Sequence, residues 1–95
     1  MRPPLLSDDE VDLRLADLPA WFLEQGQLTC NFQAPDFPTV MRWVDAIAEA
    51  ADKMDHHPDI DIRWTKLRVS MMTHDRGGLT RLDFELAAKI DQICQ

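Results

Sequence analysis

The stretch PDFPTVMRWVDAIAEAADKMDHHP, residues 35–58, restricts the fold of this chain more than any other. Val40, Trp43, Val44, Ile47, Ala48, Ala51 and Met54 recur at helical spacing, so they form one apolar stripe along a long helix. Asp36 can cap its start. Pro58 ends it, because proline lacks an N–H and its ring keeps the preceding residue out of the helical region. His57 must therefore leave the helix, while His56 sits at or just past the last turn. At such an exit the backbone changes direction, and adjacent side chains can converge on one pocket.

The rest of the chain reads as short elements. In SDDEVDLRLADLP, Ser7 and Glu10 make a capping-box pattern, Val11, Leu15 and Leu18 follow at helical spacing, and Pro19 stops the helix. WFLEQGQLTCNFQ reads as a hairpin turning at Gly26, with Leu28, Cys30 and Phe32 alternating with Thr29, Asn31 and Gln33. IDIRWTKLRVSMMTH reads as two strands or one bent strand. In it Leu67, Val69, Met71 and Thr73 face one way, and Arg68, Ser70, Met72 and His74 the other. Gly77 and Gly78 are free to take positive φ in the turn that follows. Thr80 and Asp83 then open a last helix with Leu79, Leu82, Leu86, Ala87, Ile90 and Ile93 as its apolar stripe. The order α-β-β-α-β-β-α predicts an α+β fold: a four-stranded antiparallel sheet with helices packed on one face.

Ninety-five residues suit a single domain over 1–95, and a chain of this size buries only about 60–65% of its unfolded surface. Such a thin core favours self-association. Seventeen acids against ten bases give a net charge of −7, which disfavours both a nonspecific nucleic-acid binder and an anionic membrane surface as partner. Cys30 and Cys94 have no metal-site spacing, which leaves free thiols or one disulfide. No secretory signal or membrane-length apolar run is present, so a cytoplasmic location is expected.

All three histidines, His56, His57 and His74, fall at element ends, with Asp52, Asp55, Asp59 and Asp75 close in sequence. Sites are commonly built at the ends of rigid elements. Three uses fit the pattern. The histidines can be surface residues of loops, with Asp75 and Asp83 serving turns and caps. They can form a zinc triad, although adjacent ligands followed by proline hold one ion awkwardly. Or they can be an acid–base site, since imidazole exchanges protons near neutral pH and a carboxylate fixes its tautomer.

ADKMDHHPDIDIRWTKLRVSMMTHDRGGLTRLDFELAAKID resembles the signature region of the pterin-4a-carbinolamine dehydratase family. An acid and a lysine precede the DHHP block. An alternating strand ends in a Thr-His-acid triplet, and a small-residue turn leads to Leu-Thr-x-x-Asp and a helix. Upstream, Trp21, LTCNF at 28–32 and Phe37 also match, so the resemblance spans about residues 7–94.

The resemblance implies a four-stranded sheet with helices on one face and assembly through the sheet edge into homodimers or homotetramers. It implies loss of water from 4a-hydroxytetrahydropterin to give quinonoid dihydropterin, which recycles the pterin after aromatic amino acid hydroxylation. Neither a metal nor a bound cofactor is implied. By position, His56, His57 and His74 match the family's histidines. His57 and His74 become the acid–base pair and His56 the residue that positions the ring. Asp55, Pro58, Thr73, Asp75 and Asp83 become candidate pterin-binding positions, Asp83 being equally placed as a helix cap.

Two positions depart from the family. Ile60 stands where many members carry an aromatic residue, which leaves Trp64 or Trp21 as a stacking wall or, more simply, as core residues. Arg76 replaces what is often a small or sulfur-bearing side chain, and can meet solvent or a partner. Animal members also bind a transcription factor, so a catalytically weak interaction module on the same fold is the alternative expectation.

Overall fold

A computed structural model describes residues 2–95. Helix α1 spans Asp8–Leu15, strands β1 and β2 span Phe22–Glu24 and Gln27–Gln33, and α2 spans Phe37–Met54. Strands β3 and β4 follow at Asp59–Arg63 and Lys66–Met71, then a one-turn 3-10 helix at His74–Arg76 and α3 at Arg81–Ile93. The element order is the α+β order expected from the sequence.

All strand pairs are antiparallel, in the order β1-β2-β4-β3. The register sets Cys30, Val69 and Ile60 in one row and Phe32, Leu67 and Ile62 in the next. With Leu28 and Met71, these rows make the apolar face against which the helices close. The intervening rows, Asn31-Arg68-Asp61 and Gln33-Lys66-Arg63, make a polar face. Period-two alternation thus decides which side of the sheet is covered. Thr29 breaks the simple pattern: it lies on the polar side and is nevertheless buried.

Each helix begins as its sequence requires. Ser7 and Glu10 form a complete capping box on α1, Asp36 accepts from the Thr39 N–H at the start of α2, and Thr80 and Asp83 form a capping box on α3. The hydroxyl and N–H of Thr39 hold the Asp36 carboxyl below its ordinary range, and the backbone and hydroxyl of Ser7 do the same for Glu10.

Several expectations need correction. α1 ends four residues before Pro19; Leu18 lies past the helix but is still buried. IDIRWTKLRVSMMTH is two strands, and His74 opens the 3-10 turn rather than closing β4. Of the Gly77-Gly78 pair, Gly77 alone takes positive φ. Ala48, placed in the α2 stripe, is exposed because the covered face there centres on Val40, Ile47 and Ala51. Phe84 joins the core of α3 without having been expected there. Trp64 is no core residue: it is 77% exposed, at the tip of the β3-β4 hairpin with φ 55°. Trp21 is buried, donates its indole N–H to Asp91 at 2.8 Å and meets Phe32 edge to face. Both cysteines are free thiols.

Candidate functional site

The exit of α2 places the first two histidines. Asp55 adopts the left-handed conformation at φ 50°, its N–H reaches the Asp52 carbonyl, and the His56 N–H reaches back to Ala51. This is a Schellman closure with aspartate in the position glycine usually fills. The reversal sends His56 inward and His57 outward. His56 is 5% exposed, whereas the His57 side chain is 59% exposed.

His56 is held from behind. Its Nε2 lies 2.6 Å from Oδ1 of Asp83, which is wholly buried. Oδ2 of Asp83 accepts from the Thr80 N–H at 3.0 Å and from the Thr73 hydroxyl at 2.9 Å. Because Thr73 spends its only hydroxyl proton on Asp83, the 2.8 Å contact between Thr73 and Thr80 must be donated by Thr80. One carboxylate therefore caps α3, holds the end of the Met71–Thr73 segment and fixes an imidazole. Among the described residues no buried side-chain polar atom lacks a partner. With Nε2–H committed to Asp83, the free nitrogen of His56 is Nδ1, an assignment that rests on the hydrogen-bond network. His57 is oriented in parallel fashion by Asp52, with Nε2 at 2.9 Å from Oδ1.

His74 comes from the other side. Thr73 pairs with Gly78 across an isolated bridge, and the Thr73 carbonyl accepts from the N–H groups of Arg76 and Gly77. The resulting tight loop presents His74 and Asp75 to solvent next to the α2 exit.

These elements enclose a cavity of about 140 Å³ walled by Arg2, Asp55, His56, His57, Met72, Thr73, His74 and Asp75. All three histidines reach this one wall, as do three of the five candidate binding residues. Pro58 and Asp83 do not. Pro58 acts through the backbone it redirects, and Asp83 reaches the cavity only through His56 and Thr73, both of which it holds from behind. Trp21 and Trp64 are not on the wall either. Trp64 stands at the far end of β3, about 17 Å along the strand. Among the described residues no group of three or more His, Cys, Asp or Glu side chains is arranged to hold a metal ion. No helix there is long and apolar enough to cross a membrane.

Arg2 and Met72 are the wall residues that sequence reasoning missed. Nothing local marks Arg2, which is 53 positions from Asp55 and 73 from Asp75, both of which it contacts. A larger groove of about 480 Å³ crosses the polar sheet face near Asn31, Gln33, Arg63 and Arg68, but no histidine lines it. Convergent proton-transfer groups, rather than size, identify the smaller cavity as the candidate site.

Fold and site together define a small α+β domain with a three-histidine, acid-backed cavity at one end of its sheet. The chain belongs to the pterin 4 alpha carbinolamine dehydratase family, whose model matches residues 4–93. A protein of Roseiflexus castenholzii that carries the family's name is 48% identical over 89 residues, covering 94% of this chain and 96% of the relative. One from Nocardia farcinica is 42% identical over 95 residues, covering 100% of both. Among solved structures, the transcriptional coactivator/pterin dehydratase from Brucella melitensis superposes with a TM-score of 0.92 at 29% identity, covering 96% of this chain and 99% of that one. A pterin dehydratase-like protein identified as a RuBisCO assembly factor in the alpha-carboxysome shares the fold, with a TM-score of 0.64 at 17% identity over 78% of this chain and 86% of its own.

Proposed function

We propose that this protein removes water from 4a-hydroxytetrahydropterin and releases quinonoid dihydropterin, so that the pterin can be reduced and used again. One observation carries the proposal. Three histidines from two distant segments meet on one cavity, and each of the adjacent pair is oriented by its own carboxylate.

The chemistry needs little else. The C4a–O bond breaks as the hydroxyl leaves with a proton from an acid. A base takes the N5 proton, and its electron pair forms the C4a=N5 bond. Imidazoles serve both ends near neutral pH. His57 and His74 are the exposed pair, able to reach both substrate and bulk water, and are assigned as acid and base. His56, buried and locked to Asp83, is assigned to holding the ring. Asp55, Asp75 and Thr73 complete the binding surface, Thr73 through its backbone because its hydroxyl is committed to Asp83. A cavity of about 140 Å³ is smaller than the roughly 300–1,000 Å³ of pockets that engulf drug-sized ligands. It suits the reacting edge of a flat bicycle, with any side chain at C6 left outside. The protein is proposed to act in the cytoplasm as a homodimer or homotetramer.

The test is direct assay with carbinolamine generated in place by a hydroxylase. Catalysed dehydration that persists after extensive chelation is expected. Activity lost to EDTA and restored by zinc would replace the acid–base reading with a metal one.

A second reading rests on the names of the structural relatives, one a coactivator and one an assembly factor. On that reading the domain is an interaction module with weak catalysis. Turnover no faster than the uncatalysed reaction, alongside tight binding of a purified partner, would favour it.

A further inference from the structure

We propose that Arg2 contacts and orients the pterin ring in the histidine cavity, carried there by an N-terminal strap that Arg76 pins in place. The proposal rests on the dehydratase reading and adds to it a binding residue from outside the signature region.

The strap is tied along its length. Arg76 donates from Nε to the Pro3 carbonyl at 3.1 Å and from Nη2 to the Arg2 carbonyl at 2.8 Å. Leu5 lies over Gly78, where an added Cβ would come within 3.0 Å of the leucine Cδ2. The Leu6 N–H donates to the Leu79 carbonyl at 2.9 Å. Residues 76–79 thus grip residues 2–6 at successive points. Pro3 and Pro4 have their φ angles fixed, so the segment loses less freedom on being laid down. The double glycine after Arg76 now has two separate explanations. Gly77 makes the turn at φ 70°, and Gly78 makes room for Leu5.

The end of the strap delivers a cation. The Arg2 guanidinium lies 3.5 Å from Asp55 and 3.4 Å from Asp75, the two exposed acids of the cavity wall. The arginine side chain is the enclosed partner, 28% exposed against 86% and 69% for the acids. Guanidinium has five N–H donors, and these contacts use only two of its nitrogens. The result is a planar donor fork flanked by two acceptors. The aminopyrimidinone half of a pterin carries the complementary set: a C4 carbonyl that accepts, beside an N3–H and a 2-amino group that donate. Arg2 would donate to the carbonyl while Asp55 or Asp75 accepts from the ring N–H groups. These atoms neither leave nor arrive during dehydration, so the contact strengthens ground state and transition state alike and should appear in KM.

The experiment compares Arg2→Gln, Arg2→Lys and Arg76→Ala with the wild type in steady-state dehydration. Binding of 7,8-dihydropterin, by fluorescence titration, and a thermal melt accompany each. A hydrogen bond to a charged donor corresponds to about a 10- to 100-fold change. Arg2→Gln should raise KM and the dihydropterin Kd by at least about tenfold, with kcat within about twofold and the melting temperature unmoved. Arg2→Lys should recover part of the loss. Arg76→Ala should reproduce the KM effect although it removes no group from the cavity wall. A wild type that turns over normally beside an Arg2→Gln variant with unchanged KM and Kd would overturn the strap and leave the dehydratase reading standing. A wild type that neither turns over nor binds dihydropterin would overturn both.

Discussion

His56 and His57 are chain neighbours with opposite surroundings, and their replacements should behave differently. His57→Ala and His74→Ala remove exposed rings at element ends, so stability should change by under about 1 kcal/mol. Each should slow dehydration by roughly 10²–10⁴-fold, about 3–5 kcal/mol of barrier. A pterin hydroxyl can lie on either ring face, so the two groups can partly substitute for each other, and the double variant should be far worse than either single one. Near wild-type turnover in a folded double variant would end their assignment as acid and base. His56→Ala leaves the carboxylate of Asp83, 0% exposed, without its imidazole. Losing one hydrogen bond to a buried carboxylate that keeps its bonds to Thr73 and Thr80 costs about 1.5–3 kcal/mol, so a lowered melt is expected together with weakened pterin binding. A His56→Ala melt matching the wild type would show the Asp83 pair to be energetically idle. This division between the two histidines could not be read from DHHP itself. The proline told where the helix stops, but the direction of each ring depends on Asp55 taking a left-handed conformation that aspartate only tolerates.

At the scale of elements, the turns hold strain that the sequence partly disclosed. Gln25 and Gly26 both take positive φ in the two-residue loop between β1 and β2, the backbone of a type I′ turn. Glycine adopts this freely; glutamine does not, and a left-handed residue with a Cβ costs roughly 1–2 kcal/mol. Gln25→Asn, which creates the preferred Asn-Gly pair, should stabilise the fold by up to about 1 kcal/mol in denaturant unfolding. No rise in midpoint would mean the loop relaxes around glutamine at no cost. The helices were legible because capping residues and apolar stripes are local signals: Ser7, Asp36 and Thr80 all cap as their side chains dictate. The β3-β4 hairpin was half legible. The alternation of Leu67, Val69 and Met71 was plain, but a turn carrying a tryptophan at positive φ has no turn signature, and an aromatic ring invited a core placement. Asp83 was legible as a cap and, through the family resemblance, as a candidate site residue; that the same carboxylate also holds His56 follows from packing between α3 and the end of β4.

At alkaline pH two thiols, Cys30 in the core and Cys94 packed against it, couple protonation to the stability of the whole molecule. Burial pushes Cys30 up to about 11, with Asp91 adding to it, and burial pushes Cys94 up to about 12, with Cys30 and Asp91 adding to it. A raised folded-state pKa means the native protein binds these protons more tightly than the unfolded chain does. The stability they contribute is present in full below the unfolded thiol value of about 8.5 and is lost as pH rises through about 11. The chain has no tyrosine, and Lys53, Lys66 and Lys89 are all exposed, so little else in the core titrates in that window. Melting temperature should fall steeply from pH 9 to 11, and Cys94→Ala should flatten the fall; equal slopes in both proteins would place the alkaline sensitivity elsewhere. Self-association belongs to this scale too. The short edge strand β1 exposes Phe22 and Leu23, while β3 exposes Asp59, Asp61 and Arg63, charges that discourage edge pairing. Light scattering at tens of micromolar should give the mass of two or four chains, and a mass of one would defeat the expectation. The strand order has a further consequence, in time rather than space. β1-β2 and β3-β4 are local hairpins, but the central β2-β4 ladder joins Leu28 to Met71 and can close only after the intervening chain, α2 included, has been gathered. Closure of such a long loop sets the pace of folding. Because His56 waits on Asp83 and Thr73 from beyond that closure, no early intermediate should carry the site, and activity should return on refolding with the slowest structural phase.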